Sequence, residues 1–355
     1  MVHPRTGTEY VIRNVFLPWL EQSFQDTVEA ARRADIVVGH PVSFATPTAA
    51  EYLNKPWVSI ALQPSIFLSA FDPPVISGAP WLKPLHALGP GFSRSFFRFA
   101  KSVPRRWGAP INALRRRLGL REFRNPVLDD MFSPWGTQAW FSRVLAKPQP
   151  DWPERTTITG FPFYDKLEPG QELSPELARF LDAGPAPVVF TLGSSAVFHA
   201  GAFYTESLEA VRKTGCRAVL LIGSDARNLP AGALPDTVFV APYAPYSELL
   251  PRAAATVHQG GVGTTAQALR AGRPMIVVPH GNDQPDNGTR VRRLGIARVI
   301  PRGRYRADRV ARELKTLLAD GAYAVAAAQA ASEIACEDGV QAACDGLDAI
   351  TAPRR

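Results

Sequence analysis

The residues best suited to chemistry lie in one stretch, VHQGGVGTTAQALRAGRPMIVVPHGNDQPDN, from Val257 to Asn287. Glycines at 260, 261 and 263 separate a strand pattern ending at Val257 from a helical pattern expected to open at Thr264. Glycine lets the backbone approach a ligand closely. A helix start offers unpaired N–H groups and the positive end of a dipole, which together suit a diphosphate. Thr264 and Thr265 add hydroxyl donors, and His258 and Gln259 sit at the strand's carboxyl end, where open α/β sheets bind ligands. A tight strand–helix turn with packing glycines is the structural alternative, because glycine-rich turns are common. After the next strand, Asp283 and Gln284 stand at a second carboxyl end. They present an acceptor pair and an amide that suit sugar hydroxyls.

The surrounding pattern supplies the elements that hold these groups. From Pro187 onward, apolar runs at 188–192, 218–222, 238–240, 255–257 and 275–278 read as strands. Helices fit between them, most clearly at 202–213 and 264–271, which predicts a doubly wound α/β domain over 188–350. The Ala-rich tail 322–350 is expected to be helical, and the Pro-rich, acidic stretch 167–187 is expected to be a linker. In residues 1–166, a helical pattern at 16–34 precedes strand IVVG at 36–39, helix 45–53 and strand WVSIAL at 57–62. That alternation is a βαβ unit with a parallel sheet. Residues 71–91 read as loop, 92–124 as two helices broken near Pro104 to Pro110, and 138–141 and 156–159 as weaker strands.

Taken together, His258, the glycines, Thr264, Gly272, Pro274, Pro279, Asp283, Gln284 and Asn287 at these spacings resemble a known family. It is that of inverting GT-B glycosyltransferases of the UDP-glycosyltransferase-like (family 1) type, closest to bacterial rhamnolipid, sterol and antibiotic transferases. The resemblance implies two facing Rossmann-like domains and no cofactor. It also implies a UDP- or dTDP-sugar donor and a small-molecule acceptor. Gly263, Thr264 and Thr265 would bind the donor's phosphates, approached from the other side by Gly193, Ser194 and Ser195 of the TLGSS loop. Asp283 and Gln284 would bind the donor sugar. Tyr243 occupies the place of a tryptophan that lies against the base in plant members. Gln259 aligns with the usual phosphate-contacting histidine, and Gln267 with a ribose-binding glutamate.

The family's N-terminal domain opens with a strand and a glycine-rich loop carrying the acceptor's base, often a histidine. Nothing before Ala34 reads as that strand and loop, so an N-terminally shortened acceptor domain is expected, with IVVG resembling the family's fourth strand. His40, at the end of that strand, is the candidate base, although a locally hydrogen-bonded strand-end histidine is the simpler reading. His199 and His280 are no better placed for the role, and His3 and His86 lack a context.

Charge narrows the partners. The formal net charge is +8, but residues 94–124 hold ten Lys or Arg against one acid, and the rest of the chain sums to −1. Phe92, Phe96, Phe97, Phe99 and Trp107 interleave with those cations. This composition suits an anionic lipid surface and a lipophilic acceptor; an ordinary amphipathic helix with a solvated basic face is the alternative. No nucleic-acid-binding motif accompanies the charge. No two aspartates are two residues apart, so the D-x-D pair of metal-dependent transferases is absent. Cys216, Cys336 and Cys344 form no C-x-x-C pair, and the first residues show no apolar signal core. A cytoplasmic enzyme without a metal site is expected. A sugar-nucleotide-binding remnant and an epimerase on the same fold are the rival readings.

Overall fold

The computed structural model describes residues 7–79, 81–165 and 172–352, so His3 and part of the expected linker lie outside the described residues. Two compact units emerge: Met1–Phe163 with Glu337–Arg355, and Tyr164–Cys336.

The first unit carries four parallel strands in the order β1 (Val37–Gly39), β2 (Trp57–Ala61), β3 (Thr137–Ala139) and β4 (Thr156–Ile158). A helical segment runs from Gly7 to Ala31, tightening at Leu17–Trp19, where Pro18 can donate no hydrogen bond. Leu20, Phe24 and Val28 recur on one face, and they pack with Phe44, Ala49, Ile111 and Leu114 in one apolar cluster. The stretch 71–91 is not wholly loop: Leu82–Leu85 and His86–Leu88 are helical turns, and helix Pro90–Ala100 starts inside it. Beyond it the chain stays helical through Ser102–Arg105 and Arg106–Gly108 into Ala109–Arg117. Pro104 and Pro110 are accommodated because each falls in the first turn of a new helix.

The basic segment is partly structural. Arg115 is 1% exposed, paired with Glu51, bonded to Thr48 and the Arg121 carbonyl, and lies over Phe123 at 3.6 Å. Arg116, Arg117 and Lys101 pair with Glu122, Glu21 and Asp129. Phe97 is buried beside His86, whereas Phe99 is 72% exposed.

The second unit holds six parallel strands in the order β10-β9-β8-β5-β6-β7. They are β5 (Val188–Thr191), β6 (Ala218–Leu221), β7 (Val238–Ala241), β8 (Ala255–His258), β9 (Met275–Val277) and β10 (Ala297–Val299). The apolar runs of the four inner strands β5, β6, β8 and β9 are buried on both faces, as parallel strands under helices require, while edge strands β7 and β10 are partly exposed. Helices Phe203–Thr214 and Ala307–Ala319 supply much of the cover, with Phe203 stacked on Tyr305.

Two boundaries differ from the sequence pattern. Within 167–187, Ser174 caps a helix at Pro175–Asp182 whose Leu177 and Leu181 are buried, so this stretch is more than linker. The tail 322–350 divides into helices Gly321–Ala335 and Gly339–Thr351, and the second packs within the first unit. Small residues allow that packing: a Cβ on Gly339 would meet the Phe161 carbonyl at 2.4 Å, and Gln138 reaches the Ala343 carbonyl at 2.8 Å. Phe190, on central strand β5, is fully buried. Phe190→Ala should therefore cost about 3–5 kcal/mol, read from the shift of the urea-unfolding curve of the second unit.

Candidate donor site

Adjacent strands β5 and β8 end side by side, with Thr191 paired to His258, so the loops that follow them converge. The strand reaches His258 and the helix opens at Val262, so each begins or ends slightly outside its sequence pattern. Gly261 is the N-cap and has no side chain to cap with. The N–H groups of Gly263 and Thr264 therefore have no acceptor within the helix. Nothing stands within 4 Å of where a Gly263 Cβ would lie, so the helix start is open to a ligand.

Two glycines are required by space as well as by backbone angle. Gly193 has φ +64°, and a Cβ there would fall 2.4 Å from Gln259 Nε2. Gly260 has φ +87°, and a Cβ would meet Val277 at 2.5 Å. Ser194 and Ser195 are exposed in the short turn that follows Gly193. Gln259 is 7% exposed and donates from Nε2 to Thr264 Oγ1 at 3.3 Å, so its amide supports the threonine from below. Gln259 Oε1 and Thr265 Oγ1 are buried without a partner among the described residues.

Asp283 reaches across from the loop after β9. Its Oδ2 accepts from Val262 N–H at 3.2 Å and from Asn287 Nδ2 at 2.6 Å, which lays a carboxylate on the first turn of the helix. Burial pushes its pKa above the usual carboxylate value, opposed by these hydrogen bonds. Gln284 Oε1 accepts from His280 and Gly281 N–H at 2.7 and 3.2 Å, leaving the amide nitrogen for a ligand. Tyr243 is 60% exposed, with its ring available for stacking.

Other residues singled out from the sequence are placed differently. His258 is fully buried below the loop, with Nδ1 accepting from Gly260 N–H at 3.1 Å and Nε2 3.4 Å from Met275 Sδ. Burial lowers its pKa to about 4, so it is a neutral support for the loop, with no face toward a ligand. Gln267 Oε1 accepts from Arg270, which forms a two-pronged pair with Asp165 at 2.6 and 2.8 Å. Asp165 and Arg270 carried no spacing signal that marks them. His280 is nearly buried, donates from Nδ1 to the Val278 carbonyl at 2.8 Å, and is lowered to about 4 by burial. His199 is exposed, and its carbonyl accepts from Arg302. In the first unit, His40 is half-buried and burial lowers its pKa. Its Nδ1 accepts from Val42 N–H at 3.3 Å. Among the described residues no cluster of His, Cys, Asp or Glu could hold a metal ion.

A parallel sheet with converging glycine loops at its carboxyl end and an uncapped helix start defines an α/β nucleotide-binding unit. The family described as erythromycin biosynthesis protein CIII-like, C-terminal domain, matches residues 206–346. The chain is 36% identical over 329 residues to the O-mycaminosyltylonolide 6-deoxyallosyltransferase of Streptomyces fradiae, covering 91% of this chain and 75% of that protein. It is 32% identical over 255 residues to the vancomycin aglycone glucosyltransferase of Amycolatopsis orientalis, covering 70% of this chain and 58% of that one. A solved spinosyn forosaminyltransferase superposes with a TM-score of 0.70 at 18% identity, over 96% of this chain and 84% of the other. The chain belongs to the UDP-glycosyltransferase-like (family 1) glycosyltransferases of GT-B fold.

The buried imidazole makes this loop pH-sensitive. His258 keeps a folded-state pKa near 4 against an ordinary value of 6.5, so its contribution is present above pH 6.5 and is lost as pH falls toward 4. On the order of 3 kcal/mol of stability should disappear across that interval. Urea unfolding at pH 7 and pH 4 should show the loss in the wild type, and His258→Asn should reduce it, leaving the part that the other burial-lowered histidines, His280 and His40, contribute.

Proposed function

We propose that the second unit binds a UDP- or dTDP-sugar and that the enzyme transfers the sugar, with inversion, to a hydroxyl of a lipophilic small molecule. The observation that carries the reading is the open helix start at Val262, flanked by Gly193 and the Asp283 carboxylate. In-line attack on the anomeric carbon puts charge on the departing nucleoside diphosphate. The Gly263 and Thr264 N–H groups and the Thr264 hydroxyl are preorganised to stabilise it without a metal. The Ser194 and Ser195 hydroxyls approach the diphosphate from the facing loop. Asp283 and the Gln284 amide hold sugar hydroxyls, Tyr243 stacks on the base, and the free nitrogen of Gln267 meets the ribose.

His40 is the proposed base. A neutral imidazole has one lone pair, and Val42 N–H engages it, so His40 must release that contact before it accepts a proton. The same contact favours a second reading, in which the chain binds nucleotide sugars but transfers them slowly. His40→Ala separates the two: a 10²–10⁴-fold fall in turnover supports the base, and unchanged turnover removes it.

Peripheral contact with anionic membrane is part of the proposal. Exposed Phe99 and Val103 stand among Arg98, Arg105 and Arg106, and each cation near such a surface contributes about 1 kcal/mol. Wild-type protein should sediment with phosphatidylglycerol–phosphatidylcholine vesicles, and an Arg105→Glu/Arg106→Glu variant should stay in solution. Equal sedimentation of both would discard this surface.

The donor roles have their own readouts. Calorimetry with UDP and dTDP should show binding that Thr264→Val weakens by about 1 kcal/mol or more. Asp283→Ala should spare UDP affinity while erasing the advantage of UDP-sugar over UDP; equal loss for both ligands would make Asp283 a loop support. Because burial raises the Asp283 pKa, that advantage should fade on acidification at a higher pH than an ordinary carboxylate would allow.

A further inference from the structure

Asn287 has no role in the reading above, although its spacing from Asp283 is part of the sequence pattern. It lies one turn beyond Asp283 on helix Gln284–Arg293, and its own N–H donates to the Asp283 carbonyl at 3.0 Å. Its side chain is fully buried. Nδ2 donates to Asp283 Oδ2 at 2.6 Å and to the Gly260 carbonyl at 3.0 Å. One amide thus joins the loop after β9 to the glycine-rich loop after β8.

The orientation of that amide follows from its partners. A carboxylate and a backbone carbonyl only accept, so the group between them is the amide nitrogen, and both of its hydrogens are used. The reverse orientation would set three oxygens against one another. Asn287 Oδ1 is buried without a partner among the described residues, so the side chain gives up one hydrogen bond to make the other two. Gly260 is held from a second side, because its N–H donates to buried His258 Nδ1 at 3.1 Å.

The same bond decides which oxygen of Asp283 is free. Oδ2 accepts from Asn287 and from Val262 N–H at 3.2 Å, which fills its two lone-pair sites. Neither bond engages Oδ1, and Asp283 keeps part of its surface exposed where Asn287 keeps none. The last torsion of an aspartate is soft and nearly two-fold. With the amide removed, a single N–H would hold the carboxylate, and it could turn and offer either oxygen.

We propose that Asn287 is a positioning residue, which locks Asp283 Oδ2 between the helix start and the glycine loop and so presents Oδ1 to a hydroxyl of the donor sugar. This rests on the reading of Asp283 as a sugar-binding residue. It assigns Asn287 no contact with the substrate.

The test is calorimetry of the full chain with UDP, dTDP, UDP-glucose and dTDP-glucose, read as the advantage of each nucleotide sugar over its nucleoside diphosphate. Asn287→Ala should cut that advantage about three- to tenfold, the size of one net hydrogen bond. Loosening of the Gly260 loop acts on both ligands and cancels in the ratio. In an Asp283→Ala background the same change should cost the advantage nothing more, because the two act through one carboxylate. Asn287→Asp has nearly the same shape and covers an Asn287→Ala protein that fails to fold. It sets a second carboxylate against Oδ2, so the pair keeps a proton to higher pH. Relative to wild type at each pH, its advantage should be lost at pH 8 and partly recover toward pH 5.5, as that proton restores a donor to Oδ2. On the same helix Asp286 is paired with Arg290, and burial holds His258 and His280 neutral over that range, with pKa values of about 4. An unchanged advantage in Asn287→Ala, additive losses in the double variant, or the same relative advantage at both pH values in Asn287→Asp would each overturn the role. A wild type that binds the nucleotide sugars no better than UDP and dTDP would bring down the sugar reading of Asp283 together with this one. An advantage that Asp283→Ala erases and Asn287→Ala leaves intact brings down this one alone.

Discussion

The unpaired N–H groups at the start of helix Val262–Arg270 are the constraint around which the second unit is arranged. A helix start needs acceptors, and the N-cap here is a glycine that offers none. Asp283 supplies an acceptor to Val262, the next two N–H groups have no acceptor within the helix, and the space beside Gly263 is open. Keeping that space open demands close approach everywhere else. Gly193 sits against Gln259 and Gly260 against Val277, where any side chain would collide. The arrangement also leaves Gln259 Oε1 and Thr265 Oγ1 buried without a partner among the described residues, a cost of about 1–3 kcal/mol each.

For the proposed diphosphate, the positive field at the helix start comes from the backbone more than from side chains. His258 and His280 are held neutral by burial, and Arg270 is committed to Asp165 and Gln267. Preorganised dipoles cost no reorganisation when charge appears on a leaving group, which suits transfer chemistry. The Asp283 carboxylate at the same helix start bears on the proposed division between sugar and phosphate. It accepts from the helix and from Asn287, and its remaining acceptor capacity faces hydroxyls better than phosphates.

In the first unit, one run of sequence does two kinds of work. Arg115 is a core residue, neutralised by Glu51 and seated on Phe123, and its burial links helix Ala109–Arg117 to helix Thr46–Tyr52. Several of its neighbours pair with acids distant in sequence, so the formal charge of the segment overstates its surface field. Arg98, Arg105 and Arg106 are among the cations that remain outward, close in sequence to exposed Phe99 and Val103.

The sequence by itself determined the parallel α/β character of both halves and the glycine-rich junction between β8 and the helix that follows it. Apolar runs at strand length and glycines at a strand–helix junction are local signals that need no partner to be read. Asp283 and Gln284 were legible for the same reason, lying one strand further along. The tertiary structure decided what each polar group faces. His258 and Gln259 are neighbours in sequence, yet strand alternation buries one imidazole and sets the other side chain under Thr264. Asp165 and Arg270 gain their places only because distant segments meet, and no spacing encodes that. The last helix reads as a continuation of the second unit, but Gly339 and Ala343 fit it to Phe161 and Gln138 of the first. Packing between distant segments depends on shape at contact, and shape exists only once the chain has folded.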